Sequence, residues 1–531
     1  MLDVHGTIPA YASGVLFRTG LGPRVINTDN GGTFQTNHWF DSFAQVHRFQ
    51  IEAVRGQPAK VTYNSRLVSD GLIEKVKKDG KLNGFTFAAK YDPCMSFFQK
   101  LQSVFRPSAL EPTPAPNEVN VCVTISANFP GLARDGTPGG PHRKTGVTTI
   151  ANKTDASILQ MLDPESLEPI GLARQTNLHP ALKGRASATH AKSDPVTGDV
   201  YNYNLDFGRK GTYRVFKVSA ETGKTSVLAT VSYAPAYLHS LFITENYVVL
   251  CIWNSSYVAG GAKVLLDQNL LDSIYYDDKR PAMWYVIDKK PTEEGGKGLV
   301  AQYESEPFFC FHTINAFESH NSGDGDVDIL ADLVAYDSTD VLHRFYFENL
   351  LSDSPAAKAW SDPENVAARG SMRRFMLPKI NRDPSQRPLK ATTCSVGKKD
   401  AAPELPTLNP SKVTRKHRYV YGTVDTGKST LADGLIKHDI ELGTSQTWSK
   451  HGHTVGEAIF VADPDSDLED GGILLSVVLD GIEGRSYLLV LSARTMEEIG
   501  RADVPGIVGH GFHGLHARSG VDVEGTNALN M

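Results

Sequence analysis

Short runs of alternating apolar and polar residues recur along the chain, each leading through a turn of Ser, Thr, Asp, Pro or Gly into a second such run. The pattern is visible in "SILQMLDPESLEPIGLA", "YRVFKVSAETGKTSVLATV", "WYVIDKKPTEEGGKGLVAQYE", "GLIKHDIELGTSQTW" and "YLLVLSARTMEEIGRADV". A period of two is what a half-buried strand requires, so each copy reads as a β-hairpin. Copies near residues 163 and 219, and near 438 and 492, stand about 55 residues apart, the size of a four-stranded propeller blade with long loops. A ring of six to eight such blades accounts for all 531 residues as one domain, 1–531. Closing the ring also removes the sheet edges that so many short strands would expose.

Helical periodicity is rare. "DPCMSFFQKLQSVF" places Phe97, Phe98, Leu101, Val104 and Phe105 on one face, and "KVLLDQNLLDSIYY" over 263–276 is a second candidate. They mark insertions at about 92–108 and 255–276. Packing on the blades explains both; the sharper reading makes the first an apolar surface for peripheral membrane contact. "LEPTPAPNEV" and "DAAPELPTLNPS" read as Pro-rich loops, because strand signals continue on either side.

"GTVDTGKST", residues 422–430, fits the phosphate-loop pattern G-x-x-x-x-G-K-[ST]. That chemistry needs a helix opening at the Lys-Ser, with its N-terminal N–H groups aimed at phosphate. The chain continues instead as "TLADGLIKHDIELGTSQTW", with Gly434 early and an alternating run after it. Both argue for a strand, so the expectation is no bound nucleotide.

Composition adds exclusions. The charge of −6 and pI near 6.3 give no basic footprint for nucleic acid. No secretory signal and no apolar run of membrane-spanning length are evident, which makes the cytoplasm the default, with peripheral membrane attachment as the variant reading. Five single cysteines without CxxC spacing indicate neither a disulfide framework nor a thiolate metal site.

Four histidines sit in apolar or aromatic segments: His190 in "SATHAKSDP", His239 in "PAYLHSLFITENYVVL", His312 in "FFCFHTINAFE" and His513 in "GHGFHGLHA". The inner strands of a propeller converge on its axis, so histidines from four blades could meet at one metal. Neutral imidazoles suit iron, copper or zinc. For any one of them alone, a satisfied core histidine is the competing reading.

Here the sequence resembles the carotenoid cleavage oxygenases, and within them the fungal branch. "GTIPAYASGVLFRTGLGP" resembles the family's N-terminal segment and "HWFDSFAQVHRF" its H-x-F-D-G-x-A-x-x-H-x-F stretch. "THAKSDPVTGDVYNY", "HSLFITENYVV", "FHTINAFE" and "GFHGLH" resemble the four ligand motifs in order. The resemblance implies a seven-bladed all-β propeller, capped by loops and short helices, that holds one Fe(II) on His190, His239, His312 and His513. His510 and His516 are the rivals for the last ligand. It also implies carboxylates that orient the ligand histidines: Glu457 in "HTVGEAIFV", and Asp155 in "KTDAS" where the family usually has Glu. The third falls near "RRFMLPKIN", where Met376 stands instead.

The implied reaction adds O2 across one conjugated C=C bond of a carotenoid or apocarotenoid and gives two carbonyl products without an external reductant. The protein's part is positioning, and Tyr237, Phe308, Phe309 and Phe311 are candidates for an apolar, aromatic tunnel. Relatives of this fold also cleave hydroxystilbenes such as resveratrol, using a Lys and a Tyr on the phenol. Lys153 falls near the lysine's place, but "NEVNVCVTISANF" offers no tyrosine, which favours the polyene. An iron-dependent isomerohydrolase that consumes no O2 is the remaining alternative.

Overall fold

The computed structural model describes residues 1–89, 114–141, 146–320, 326–351, 354–362, 365–380 and 387–520. Among them, seven sheets of four to six strands, antiparallel except for the short parallel pair of Leu389–Lys390 with Leu299–Ser305, stand around one axis, as the blade-sized period predicts. The candidate helix over 92–108 lies outside the described residues.

Six hairpins close through one type of turn, which is what makes the sequence pattern repeat. The residue ending each turn donates its N–H to the carbonyl four positions back: Gly198 to Asp194, Gly223 to Ser219, Gly443 to Asp439, Gly484 to Asp480, Leu167 to Asp163 and Met496 to Ser492. All six are left-handed, with φ between 58° and 73°. Glycine has no Cβ to oppose that conformation. Leu167 and Met496 tolerate it because their side chains are buried, and burying a side chain of that size is worth about 2 kcal/mol against a left-handed cost of roughly 1–2 kcal/mol.

Adjacent blades meet through apolar faces. Leu16, Phe49 and Ile51 of one blade pack on Ile473, Leu475, Leu488 and Val490 of the next. That pair of blades also closes the ring, and does so twice. The early strand Gly14–Leu21 pairs with Gly514–Arg518, and Asp3–Gly6 pairs with Glu498–Asp503. Each of the two blades is therefore built from both ends of the propeller sequence.

The helix expected over 263–276 is shorter than its periodicity suggests. It runs over Ala262–Asp267 and stops at Gln268, which is left-handed at φ 51° and donates to the Val264 carbonyl. Asn269 then holds a turn, accepting from the Asp272 N–H and donating to the Ala89 carbonyl. The chain continues as a 3-10 turn, Leu271–Ser273, and a strand, Ile274–Tyr275, paired with Ser256–Tyr257.

The phosphate-loop lookalike is a hairpin between Tyr419–Val424 and Gly434–Asp439. Its N–H groups are committed to carboxylates of the loop itself: Thr426 and Lys428 donate to Asp433 at 3.1 and 2.8 Å, and Gly427 donates to Asp425 at 2.9 Å. Lys428 is exposed, so Lys428→Ala is expected to change stability by less than about 0.5 kcal/mol. Asp433→Ala removes the buried acceptor shared by the Thr426 and Lys428 N–H groups and the Thr426 hydroxyl, and is expected to cost about 1–3 kcal/mol. Thermal denaturation of the two variants checks the pair.

Candidate metal centre

Each blade sends one functional side chain toward the axis. His190 lies on the inner strand region between Ala186–Ser187 and Lys192–Ser193, His239 just before Phe242–Ile243, His312 within Phe309–His320, and His513 just before Gly514–Arg518. The three other blades supply carboxylates: Asp155 from the turn after Ile150–Lys153, Glu404 from Glu404–Thr407, and Glu457 between His453–Val455 and Ile459–Ala462. One nitrogen of each histidine falls within 4.8 Å of one from every other, and all four rings are buried.

The carboxylates decide which nitrogen faces inward. The Nδ1–H of His239 donates to Asp155 at 2.9 Å, that of His312 to Glu404 at 2.5 Å, and that of His513 to Glu457 at 2.9 Å. With Nδ1 protonated, Nε2 carries the lone pair and points at the axis. Asp155 reaches its histidine directly despite its shorter arm, and its Oδ1 also accepts from the Thr189 N–H.

Two observations test whether a metal suits this pocket. The His312 Nε2 is buried without a hydrogen-bond partner, and the His513 Nε2 faces the His190 Nε2 at 3.0 Å. Burial, with the neighbouring imidazoles adding to it, pushes the pKa of His190 and His513 well down, and burial lowers that of His312. Neutral rings presenting lone pairs to one point are the donor set a divalent transition metal takes.

Glu404 corrects the expectation at Met376. Met376 lies on Ser371–Ile380, the third strand of its blade, paired with Leu330 and Thr392. Glu404, inside the "DAAPELPTLNPS" segment read as a loop, opens the innermost strand of the next blade. Burial raises its carboxyl, but His312, Tyr336 and the Leu405 N–H outweigh that and hold it below the usual range.

Two tyrosines repeat one arrangement. The Tyr237 hydroxyl donates to Asp155 at 2.9 Å, and the Tyr336 hydroxyl donates to Glu404 at 2.6 Å. Each carboxylate thus accepts from a ligand imidazole and from a phenol on the cavity wall. Tyr237→Phe is expected to lower the affinity of the four-histidine cluster for a divalent transition metal several-fold without abolishing binding, measurable by competition with a chelator.

Arg18 serves the third carboxylate. Its Nη1 donates to Glu457 at 3.0 Å and both side chains are 1 % exposed. Burial pushes the Glu457 carboxyl upward, and Arg18 and the Gly514 N–H act against it. The glycines of "GHGFHGLH" make room for this guanidinium: a Cβ on Gly514 would stand 2.5 Å from Arg18 Cδ, and one on Gly511 2.5 Å from the Thr19 carbonyl. His510 and His516 turn away from the axis, their Nε2–H groups donating to the Val455 and Ala12 carbonyls.

A cavity of about 700 Å³ opens onto His239, His312 and His513. The segment "HWFDSFAQVHRF" builds much of its wall. His38 donates from Nε2 to the Leu342 carbonyl and accepts the Phe40 N–H at Nδ1, while Asp41 accepts the N–H groups of Phe87 and Ala88. These bonds hold Trp39 and Phe40 against Phe345 and Phe512, with Phe87 edge-on to Phe40.

Of the expected tunnel residues, Tyr237 and Phe311 stand on the wall. Phe308 does not: it is core, packed on Trp284 and Phe375. Phe309 stands behind the wall, its ring edge-on to Phe311 at 4.9 Å. Lys153 is also off the wall. It lies directly across the sheet from Thr124, whose hydroxyl donates to the Thr189 carbonyl, so its side chain shares the face turned to the next blade; Thr154 and Asp155 line the cavity instead.

Residues 1–518 match the family described as retinal pigment epithelial membrane protein, RPE65. The chain is 39 % identical to a carotenoid dioxygenase of Neurospora crassa over 98 % of its own length and 89 % of the relative's. It is 38 % identical to a torulene dioxygenase of Gibberella fujikuroi, over 97 % and 90 % of the two chains. Among solved structures, cobalt-substituted Synechocystis apocarotenoid oxygenase superposes with a TM-score of 0.71 at 21 % identity, over 97 % of this chain and 95 % of that one. At that identity the likeness concerns the fold.

Proposed function

Since the chain belongs to the RPE65 family of carotenoid oxygenases, we propose that it is a non-haem Fe(II) dioxygenase that cleaves one conjugated C=C bond of a carotenoid or apocarotenoid. The observation that carries the reading is the four-histidine cluster at the floor of an apolar cavity. Iron held there would supply the activation of O2. The balance needs no other reductant: one C=C and one O2 give two C=O groups, and the alkene provides all four electrons.

The residues set the conditions for that balance. Four neutral imidazoles leave the ion its full charge, while Asp155, Glu404 and Glu457 hold the rings in orientation from one bond further out. The aromatic wall excludes water and fixes the polyene, so that a single double bond lies over the histidines. Conjugated hydrocarbon against Phe40, Phe87, Phe311, Phe345 and Phe512 is stabilised by apolar burial of about 25 cal/mol per Å².

The stilbene alternative loses its support at Lys153. Among the described residues, Lys399 is the one lysine on the cavity wall, and its ammonium donates to Asp337. Peripheral membrane contact through the apolar positions of "DPCMSFFQKLQSVF" belongs to this proposal; no helix among the described residues is long and apolar enough to cross a membrane.

The test is oxygen consumption by the iron-loaded protein with a carotene, an apocarotenal and resveratrol in separate reactions, with products identified by mass spectrometry. One O2 per pair of carbonyl products from a polyene is expected. Turnover of resveratrol alone, or products without O2 uptake, would replace this reading with a stilbene oxygenase or an isomerohydrolase.

A further inference from the structure

The phosphate-loop lookalike returns at the cavity wall. Asp425, Thr430 and Leu431 of that hairpin line the cavity, as do Arg344 and Arg369. Arg344 ends the short helix Asp340–Arg344, with its side chain 8 % exposed. Its Nη1 donates to Asp425 Oδ2 at 2.5 Å and its Nη2 to the Thr430 carbonyl at 3.0 Å. Arg369 Nε lies 3.6 Å from the same Oδ2, and the other Asp425 oxygen accepts the Gly427 N–H.

Two guanidiniums therefore share one carboxylate in a buried wall, and the Arg344 Nε is buried without an acceptor. A buried donor without an acceptor costs stability in an apolar surrounding unless something else satisfies it. A few fixed polar groups in a mostly apolar lining are how a cavity orients an elongated apolar ligand. The position is set on the His312 side of the centre. Tyr336, hydrogen-bonded to the Glu404 carboxylate that holds His312, lines the same cavity as Arg344.

We propose that Arg344, braced by Asp425 and Thr430, receives an acceptor oxygen at one end of the substrate, so that the cavity takes polyenes ending in a carbonyl or carboxylate in preference to unoxygenated hydrocarbons. Anchoring that end fixes which double bond lies over the four histidines. The inference rests on the polyene-cleaving reading, and it makes Arg344 a positioning residue rather than a catalytic one.

Binding to the metal-free protein separates the two claims. Quenching of tryptophan fluorescence by an apocarotenal, the matching apocarotenoic acid and β-carotene gives three affinities. The acid and the aldehyde are expected to bind about tenfold tighter than β-carotene, the order of one hydrogen bond to a charged group. Arg344→Gln should erase that preference, bringing the acid and the aldehyde to within about twofold of β-carotene. Asp425→Asn, which removes the shared counter-charge, should raise the acid-to-aldehyde ratio, and it tests the idea even if the arginine variant does not fold. Equal affinities in the unmodified protein, or ratios unmoved in both variants, would overturn the proposal. Should the binding preference hold while the iron-loaded protein cleaves no polyene, the reaction assigned above fails and the subsite stands.

Discussion

Replacing His239 by Ala is expected to abolish stoichiometric iron binding and turnover together. Three imidazoles remain, and the Asp155 carboxylate, deprived of its imidazole partner, is left with Tyr237 and the Thr189 N–H. A divalent ion that binds the folded protein raises its stability by RT ln(1 + [L]/Kd), about 2.7 kcal/mol at a hundredfold excess over Kd. Added Fe(II) should therefore raise the melting temperature of the unmodified protein and leave that of the variant unmoved. His516→Ala is the control: its Nε2–H serves the Ala12 carbonyl, so this variant should retain iron. Iron retained at full stoichiometry by His239→Ala would remove that residue from the ligand set.

The second large effect is at Glu404. Glu404→Gln keeps an oxygen that can accept from His312 Nδ1–H but removes the charge that the Tyr336 hydroxyl and the imidazole share. Loss of such an orienting partner typically costs 10- to 100-fold in metal affinity, and a fall of about that size is expected in a chelator competition. Adding Met376→Glu should restore nothing, since Met376 lies two strands out from the inner strand that carries His312. A rescue by that second change would mean that the orienting acid had been misassigned.

Blade architecture was legible because one turn geometry recurs with Gly at its left-handed position; Leu167 and Met496 show the same turn where no glycine announces it. The four clustered histidines were legible through the order of their motifs rather than through spacing. Glu404 was not, because an innermost strand of four residues flanked by prolines has too few positions to display a period of two. One rule could have found it: in a ring where four blades give histidines, the acids come from the other three, and the blade between His312 and Glu457 had none assigned. Tyr336 and Arg18 left no local signal at all, since each acts across sequence separations of 68 and 439 residues. Lys153 is the last residue of its strand and lies off the cavity wall, which begins with the turn residues Thr154 and Asp155.

The double closure of the ring has a consequence in time. His513 and the strand Gly514–Arg518 follow every other blade in the chain, so the fourth ligand exists only after all the rest has been synthesised. At roughly 5–20 residues per second, the strand Gly14–Leu21 waits on the order of half a minute or longer for its partner. During that interval the nascent chain carries an open edge and an incomplete donor set. The complete four-histidine cluster is thereby tied to completion of the last blade, where Arg18 from the start of the chain and His513 from its end bond to one carboxylate, Glu457.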